Sequence, residues 1–421
     1  MTAAAVSVTA PRTGLRRQQV FGFVYIGLAA VIAFAFGAGT EAGAASTFDL
    51  NARGVEIELP QVVLPSAATA YVLAGLCAFL GAVQLTRGFG TRGALILGVV
   101  ALLFISGFLV WAASTRSMNL VGVFQTTVQR ATPITFAALS GVLCERAGVV
   151  NIAIEGMLLS GAFVSAVVGS ATANPWIGIL GAVIVGALLA ALLAVLAIRY
   201  RVDQIIAGTV INILAVGVTS FLSVRVLQES PELNSPGRFG PTPIPLLADI
   251  PFFGPILFDN NVFIYAMLLL VALIHVALFH TRWGLRVRAV GEHPRAADTV
   301  GIDVLRTRYR NVILGGMVAG LGGAFLIIGA TGRFDQEMTA GRGFIGLAAM
   351  IFGGWTPVGA FLASLVFGFA DSLQARLSIL NVPIASEILL MAPYVVTILV
   401  VAGLVGRARA PAADGRPYHK E

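Results

Sequence analysis

The sequence predicts an all-α, polytopic transmembrane helix bundle, and three observations carry that prediction. Of its 421 residues 57% are hydrophobic and only 11% are charged, outside the usual range of water-soluble domains. Apolar runs of about 20 residues, the length that crosses a bilayer, recur along the chain. Arginines collect in a few short loops and at both ends, the asymmetry that marks a cytoplasmic face. Together these give about 10–12 spans, with short broken helices in the core and both termini in the cytoplasm. The apolar runs are continuous and Gly-rich, unlike the weak alternating segments of an outer-membrane barrel. The net charge of +7 follows this loop pattern and is no nucleic-acid signature.

Met1 to Gln19, with Arg12, Arg16 and Arg17, reads as a cytoplasmic tail. Val20 to Gly37 is the first span, an uncleaved anchor rather than a secretory signal, given its long lead and the spans downstream. Thr40 to Ser66 carries Glu41, Asp49, Glu56 and Glu58 with few basic residues, and reads as an external loop. Ala67 to Leu85 returns, Arg87 and Arg92 mark an inside turn, and Ala94 to Ala113 crosses again. Residues 20–117 thus read as three peripheral N-terminal helices almost without polar side chains, and the functional core is placed at 118–405.

In the core, Met118 to Arg130 is amphipathic enough to lie along the outer interface, and Pro133 is expected to break the helix. Ile134 to Leu143 is half a span long, and after Cys144, Glu145, Arg146 and Gly148 a full span runs from Val149 to Gly169. A short helix abutting a longer one exposes backbone polar groups to a central cavity. Trp176 to Ile198 crosses inward to Arg199 and Arg201, and Gln204 to Val224 goes out again. Leu227 to Asn260 holds seven prolines and reads as an ordered outside loop. Phe263 to Phe279 brings the chain back in. Val312 to Ala330 is crowded with glycine, and its Gly316 and Gly320 allow close approach of a neighbouring helix. After the polar turn Thr331 to Arg342, a second short piece, Gly343 to Phe352, meets Gly353, Gly354 and Pro357 before a longer run to Leu373, which hints at a duplicated core. Ser386 to Val405, bent at Pro393, is the last span, and 406–421 is a basic cytoplasmic tail.

The stretch set apart from all this is Thr281 to Val304, a polar, arginine-rich loop between two apolar runs. Glu292 to Val300 carries a short helical pattern. Pro294 suits its first turn, Ala296 and Ala297 keep it slim, and Gly301 supplies a left-handed stop. With Arg286 and Arg288 beside it, this is a docking element for a soluble partner; the plainer reading is an amphipathic surface helix on lipid head groups.

Ionisable and polar groups inside spans are functional candidates because they are costly there. Asn151 and Glu155 are placed four apart on one helix face, either walling a pathway or, for Glu155, pairing with Arg146 or capping a neighbouring helix. Asn212 either contacts solute or bonds another helix. Asp371 lies toward the outer end of its span, where snorkelling makes a charge cheap. Phe344 and Phe369 either stack on a planar solute or face core and lipid. Cys77 and Cys144 form no disulfide framework or zinc site, and His275 with His280 lacks further ligands and reads as an interfacial helix end. Lys420 is the only lysine, so the chain has no lysine-bearing P-loop and no ATP site of that kind.

The E-x-P-x-A-A-x-x-x-G-I pattern from Glu292 to Ile302, preceded by TRWGLRVRAVG, resembles the coupling loop of permeases in bacterial ABC importers. Thr132 to Phe163 and Gly341 to Phe361 are similar to segments of the ribose, nucleoside and branched-chain amino-acid branch, nearest its nucleoside and simple-sugar members. The resemblance covers about Val121 to Val405, and the three N-terminal spans depart from the family pattern. It implies a non-enzymatic importer subunit in the bacterial cytoplasmic membrane, without a cofactor of its own. ATP and Mg are used by a partner ATPase docked through Arg286, Arg288, Glu292, Pro294, Ala296, Ala297 and Gly301. A second, paralogous permease, a solute-binding lipoprotein and membrane lipid are the other implied partners. The alternatives are a branched-chain amino-acid permease, and an ion-coupled secondary transporter using Glu155 and Asp371. A membrane enzyme would need a clustered acid, base or metal set, which the sequence does not offer.

Overall fold

A computed structural model describes residues 17–52, 58–379, 391 and 409–420. The span expected at Ser386 to Val405, most of the tail Met1 to Gln19 and Glu56 lie outside the described residues. Among those described, nine helices are long and apolar enough to cross a membrane, which makes this a multi-pass membrane protein. The chain divides into two compact units, Met1–Asn51 with Glu58–Leu120, and Ala52–Ile57 with Val121–Glu421.

The first unit holds α1 (Arg17–Val31, continued by a π turn over Ile32–Gly37), α2 (Ser66–Thr86) and α3 (Gly93–Ala112). Its packing is almost wholly apolar: Phe36 meets Phe104, Phe108 and Trp111 with ring centres 5.5–5.7 Å apart. The loop expected between the first two spans is in fact partly ordered as a sheet. Strand β1 (Ala45–Asp49) pairs antiparallel with β2 (Val62–Pro65) and parallel with β3 (Ser117–Asn119).

The second unit begins with α4 (Leu120–Glu145), which corrects the expected break at Pro133. One helix runs through the proline. Pro133 has no N–H to donate, but every residue from Ala131 to Glu145 is buried, so packing on all sides holds the helix across the missing bond. Hydroxyls of Thr132 and Thr135 bond the carbonyls of Val128 and Ala131 on either side of it. The half-span at Ile134 to Leu143 and the interfacial piece at Met118 to Arg130 are therefore not separate elements. The first half of the expected duplication does not exist in that form.

Four further helices follow: α5 (Ile154–Ala171), α6 (Pro175–Ala194), α7 (Gln204–Leu222) and the short α8 (Phe253–Leu257). The proline-rich segment before α9 (Val262–His280) is pinned by a two-residue bridge between β4 (Thr242–Pro243) and β5 (Asp259–Asn260). Two helices, α10 (Arg282–Glu292) and α11 (Pro294–Thr299), fill the polar loop, so the loop is more helical than its sequence suggested. Then come α12 (Val304–Ala324, with a π extension over Phe325–Thr331), the short α13 (Arg342–Phe352) and α14 (Pro357–Ile379). Glycines set the centre of this unit. A Cβ on Gly161 would stand 2.7 Å from the Gly320 carbonyl oxygen, and one on Gly320 would collide with that of Ala182, so α5, α6 and α12 touch backbone to backbone.

Candidate functional site

The break in the core lies between α4 and α5. Gly148 takes φ +82, and the chain then runs non-helical to Ala153 with Val149, Asn151 and Ala153 fully buried. Asn151 thus precedes α5 and shares no helix face with Glu155, which corrects the expected span from Val149. Buried irregular backbone must find partners. The Val150 N–H donates to Gln204 Oε1 at 2.7 Å. Asn212, from the middle of α7, accepts from the Gly156 N–H and donates to the Ile152 carbonyl, both at 2.8 Å. Both ends of its amide are committed to holding the break. Asn151 itself points Nδ2 at Cys144 Sγ, 3.4 Å away, and its Oδ1 has no partner among the described residues.

Glu155, in the first turn of α5, caps the half helix α13. Its Oε1 accepts from the Gly341 N–H at 2.8 Å and its Oε2 from the Gly343 N–H at 2.6 Å. A carboxylate there satisfies two N–H groups that the helix cannot and sits at its positive end. Gly343 is required, since a Cβ would stand 2.6 Å from Glu155 Cα. The other end of α13 is tied to the end of α4. Trp355 Nε1 donates to Glu145 Oε2 at 2.6 Å, and Arg146 donates to the Trp355 and Gly354 carbonyls at 2.8 and 3.1 Å. Arg146 does not pair with Glu155. An 11-residue helix is about 16 Å long, half the bilayer core, so α13 is the one short helix of the sequence reading that keeps its place.

Of the remaining pathway candidates, Phe344 follows Gly343 on α13 beside this point, while Asp371 and Phe369 are engaged with other partners. Asp371 on α14 pairs with Arg130 on α4 at 3.0 Å, a partner the sequence did not single out. Phe369 stacks on Phe124 with ring centres 6.3 Å apart, and Phe344 is half exposed on α13. A polar cleft of about 280 Å³ lies elsewhere in the unit, lined by Gln125, Gln129, Phe239, Asn260, Asn261 and Phe325 among others. Asn260 Oδ1 in it is buried without a hydrogen-bond partner in the described structure.

On the arginine-rich side, Thr281 caps α10 through the Gly284 N–H, and Pro294 opens α11. Gly301 (φ +84) closes it, where the Ile302 N–H returns to the Ala297 carbonyl at 3.0 Å. Ala297 is buried, Arg286, Glu292 and Ala296 are exposed, and Arg288 lies over the Phe279 ring at 5.1 Å. The C-terminal segment 409–420, taken from sequence as a plain basic tail, is docked here. The Ala413 N–H donates to the Gly291 carbonyl at 2.9 Å, that of Ala412 to Glu292 Oε2 at 3.1 Å, and the Tyr418 hydroxyl to Asp298 Oδ2 at 2.8 Å. Burial pushes the Asp414 carboxyl up to about 6, although a hydrogen bond with Glu145 and the Arg308 charge pull the other way. Tail and α11 enclose a cleft of about 350 Å³ that includes Pro294, Arg295, Arg416 and Tyr418. The signal for this docking was thin: Pro411, Gly415, Pro417 and Tyr418, turn formers and an aromatic among charges.

A family model described as the permease component of the branched-chain amino acid transport system matches residues 123–401. The chain is 42% identical over 309 residues to the guanosine ABC transporter permease protein NupQ of Bacillus subtilis, covering 71% of this chain and 96% of that protein. It is 41% identical over 318 residues to the nucleoside ABC transporter permease protein NupC of Lactococcus lactis, covering 72% and 99%. Identity to the putative glucose ABC transporter permease protein TsgC13 of Haloferax volcanii is 34% over 329 residues, covering 71% and 98%. No solved structure matches.

Proposed function

The chain belongs to this family of ABC-transporter permease components, and on that premise we propose that it carries a nucleoside, or failing that a simple sugar, into the cell. The observation that supports the solute class most directly is the similarity to the guanosine permease across 96% of that protein's length. The chemistry of the polar cleft suits such a solute: the amides of Gln125 and Gln129 and the unpartnered Asn260 Oδ1 for hydroxyls, and the ring of Phe239 for a flat base. The site is in a bacterial cytoplasmic membrane. The partners are an ATPase that binds ATP and Mg and docks on α10–α11, a second and paralogous permease, and a solute-binding lipoprotein. Docking uses the exposed Arg286, Glu292 and Ala296, while Pro294, Ala297 and Gly301 fix the shape of α11 and Arg288 its seat on Phe279.

The pathway residues divide by the work their bonds already do. Asn212, Glu155 and Asp371 hold elements together, Phe369 stacks on Phe124, and Asn151 and Phe344 keep an unpartnered acceptor and exposed surface respectively. ATPase closure would move α10–α11 and open the break between α4 and α5.

Uptake of labelled guanosine into vesicles holding all four components is the test. Transport requires ATP and survives an ionophore, and the chain alone is inert. Gly301→Val places a β-branched residue at φ +84, costs about 1–3 kcal/mol locally and abolishes uptake with insertion intact. Accumulation by the lone chain, or ATP-dependent uptake of leucine in place of guanosine, sinks the assignment.

A further inference from the structure

We propose that the C-terminal segment 409–420 is a strap through which movement of α10–α11 reaches the half helix α13, with Asp414 and Tyr418 as positioning residues. This rests on the reading of α10–α11 as the ATPase dock. The segment is wedged between two bodies and bonded to both. On one side it holds α10 and α11 through Gly291, Glu292 and Asp298, the last two 120 residues away in sequence. Tyr418 is buried there in a small apolar cluster with Val290, Ala297 and Val304.

On the other side the strap meets the break. The Asp414 carboxyl faces that of Glu145 and the Arg308 guanidinium, and its Oδ1 is buried without a hydrogen-bond partner among the described residues. Gly415 packs beside Val150, and a Cβ at Gly148 would stand 3.2 Å from the Ala413 carbonyl oxygen. Arg308, the largest fully buried side chain of the unit, donates to the Arg416 carbonyl at 2.9 Å and anchors the strap to α12. From Glu145 the bonds continue to Trp355, and from its neighbour Arg146 to Gly354 and Trp355, at the end of α13. A tail that merely covered charge would need neither a buried arginine beneath it nor a buried carboxyl of its own, both of which are costly unless position matters.

The test uses the complete transporter in vesicles with labelled guanosine, and hydrogen exchange on the permease in nanodiscs. Truncation after Arg409 is expected to lower uptake about tenfold while the ATPase still co-purifies. It also raises exchange in both 286–301 and 145–156, whereas an unlinked tail would expose only its own contacts. Because truncation can perturb folding, Asp414→Ala and Asp414→Asn are compared. Asparagine keeps the size and polarity of the Asp414 side chain, so it is expected to keep uptake within about twofold where alanine loses about tenfold. Tail variants with normal uptake, beside a Gly301→Val protein that is dead, overturn the strap and leave the dock standing. Normal uptake in all of them, or normal uptake in Gly301→Val alone, removes the dock and the strap with it.

Discussion

The two units bury their helices by different means. In the first, the spans Gln18–Gly37, Ser66–Thr86 and Leu95–Ala112 are only 33, 28 and 22% buried, carbon packs on carbon around Phe36, and close glycine contact between α1 and α2 is confined to Gly22, Gly37 and Gly81. In the second, two central spans, Ile154–Ala171 and Val304–Thr331, are 72% buried and meet their neighbours through glycine backbones and side-chain amides, while the other four described candidate spans are 28–33% buried like those of the first. A ring stack tolerates a small slide, because dispersion falls off gradually with offset. A glycine pressed on a carbonyl, or an Asn spending both ends on one break, has a single register. The second unit is therefore built as fixed pieces with defined joints, and the candidate site lies at a joint.

Matched glycine substitutions break this comparison most sharply. Gly320→Leu drives a side chain into the Ala182 carbonyl, where neither backbone can yield, and is expected to cost more than about 3 kcal/mol and leave little folded protein. Gly75→Leu in α2 meets nothing within 4 Å, so yield and melting temperature in detergent should match the parent. Equal losses from both would mean that Gly75 is packed as tightly as Gly320.

A smaller effect is expected at Glu155. Glu155→Ala leaves the Gly341 and Gly343 N–H groups without their acceptors and should destabilise by about 3 kcal/mol, lowering the melting temperature whether or not solute is present. A Glu155→Ala protein with unchanged melting and altered solute affinity alone would return the residue to the pathway wall.

Span positions were legible in the sequence because hydropathy and length are local properties, and Pro294 and Gly301 bound α11 for equally local reasons. What escaped was set by distant partners. Pro133 signals a break, yet close packing along α4 overrides it. Val149 to Ala153 looks like the start of a span, and only Gln204 and Asn212, more than 50 residues on, hold it out of the helix. The Arg130–Asp371 pair spans 241 residues, and the tail meets α11 across 120. No periodicity within one segment reports such contacts.

The smallest effect expected is a pH dependence confined to the strap of the second unit. Asp414 is held at about 6 in the docked tail against 3.8 when free, so the docked form prefers the protonated acid. The groups facing it are the Glu145 carboxyl at the end of α4, the Arg308 guanidinium on α12 and the Gly415 backbone N–H. Docking gains its full contribution below 3.8 and loses it as pH rises through 6. Between pH 5 and 7 the loss is on the order of 1 kcal/mol. A fluorophore near Tyr418 should thus report a tail several times more often released at pH 7 than at pH 5, and Asp414→Asn, which cannot ionise, should abolish the difference. A tail that docks more firmly at pH 7 would mean that the Arg308 charge outweighs burial.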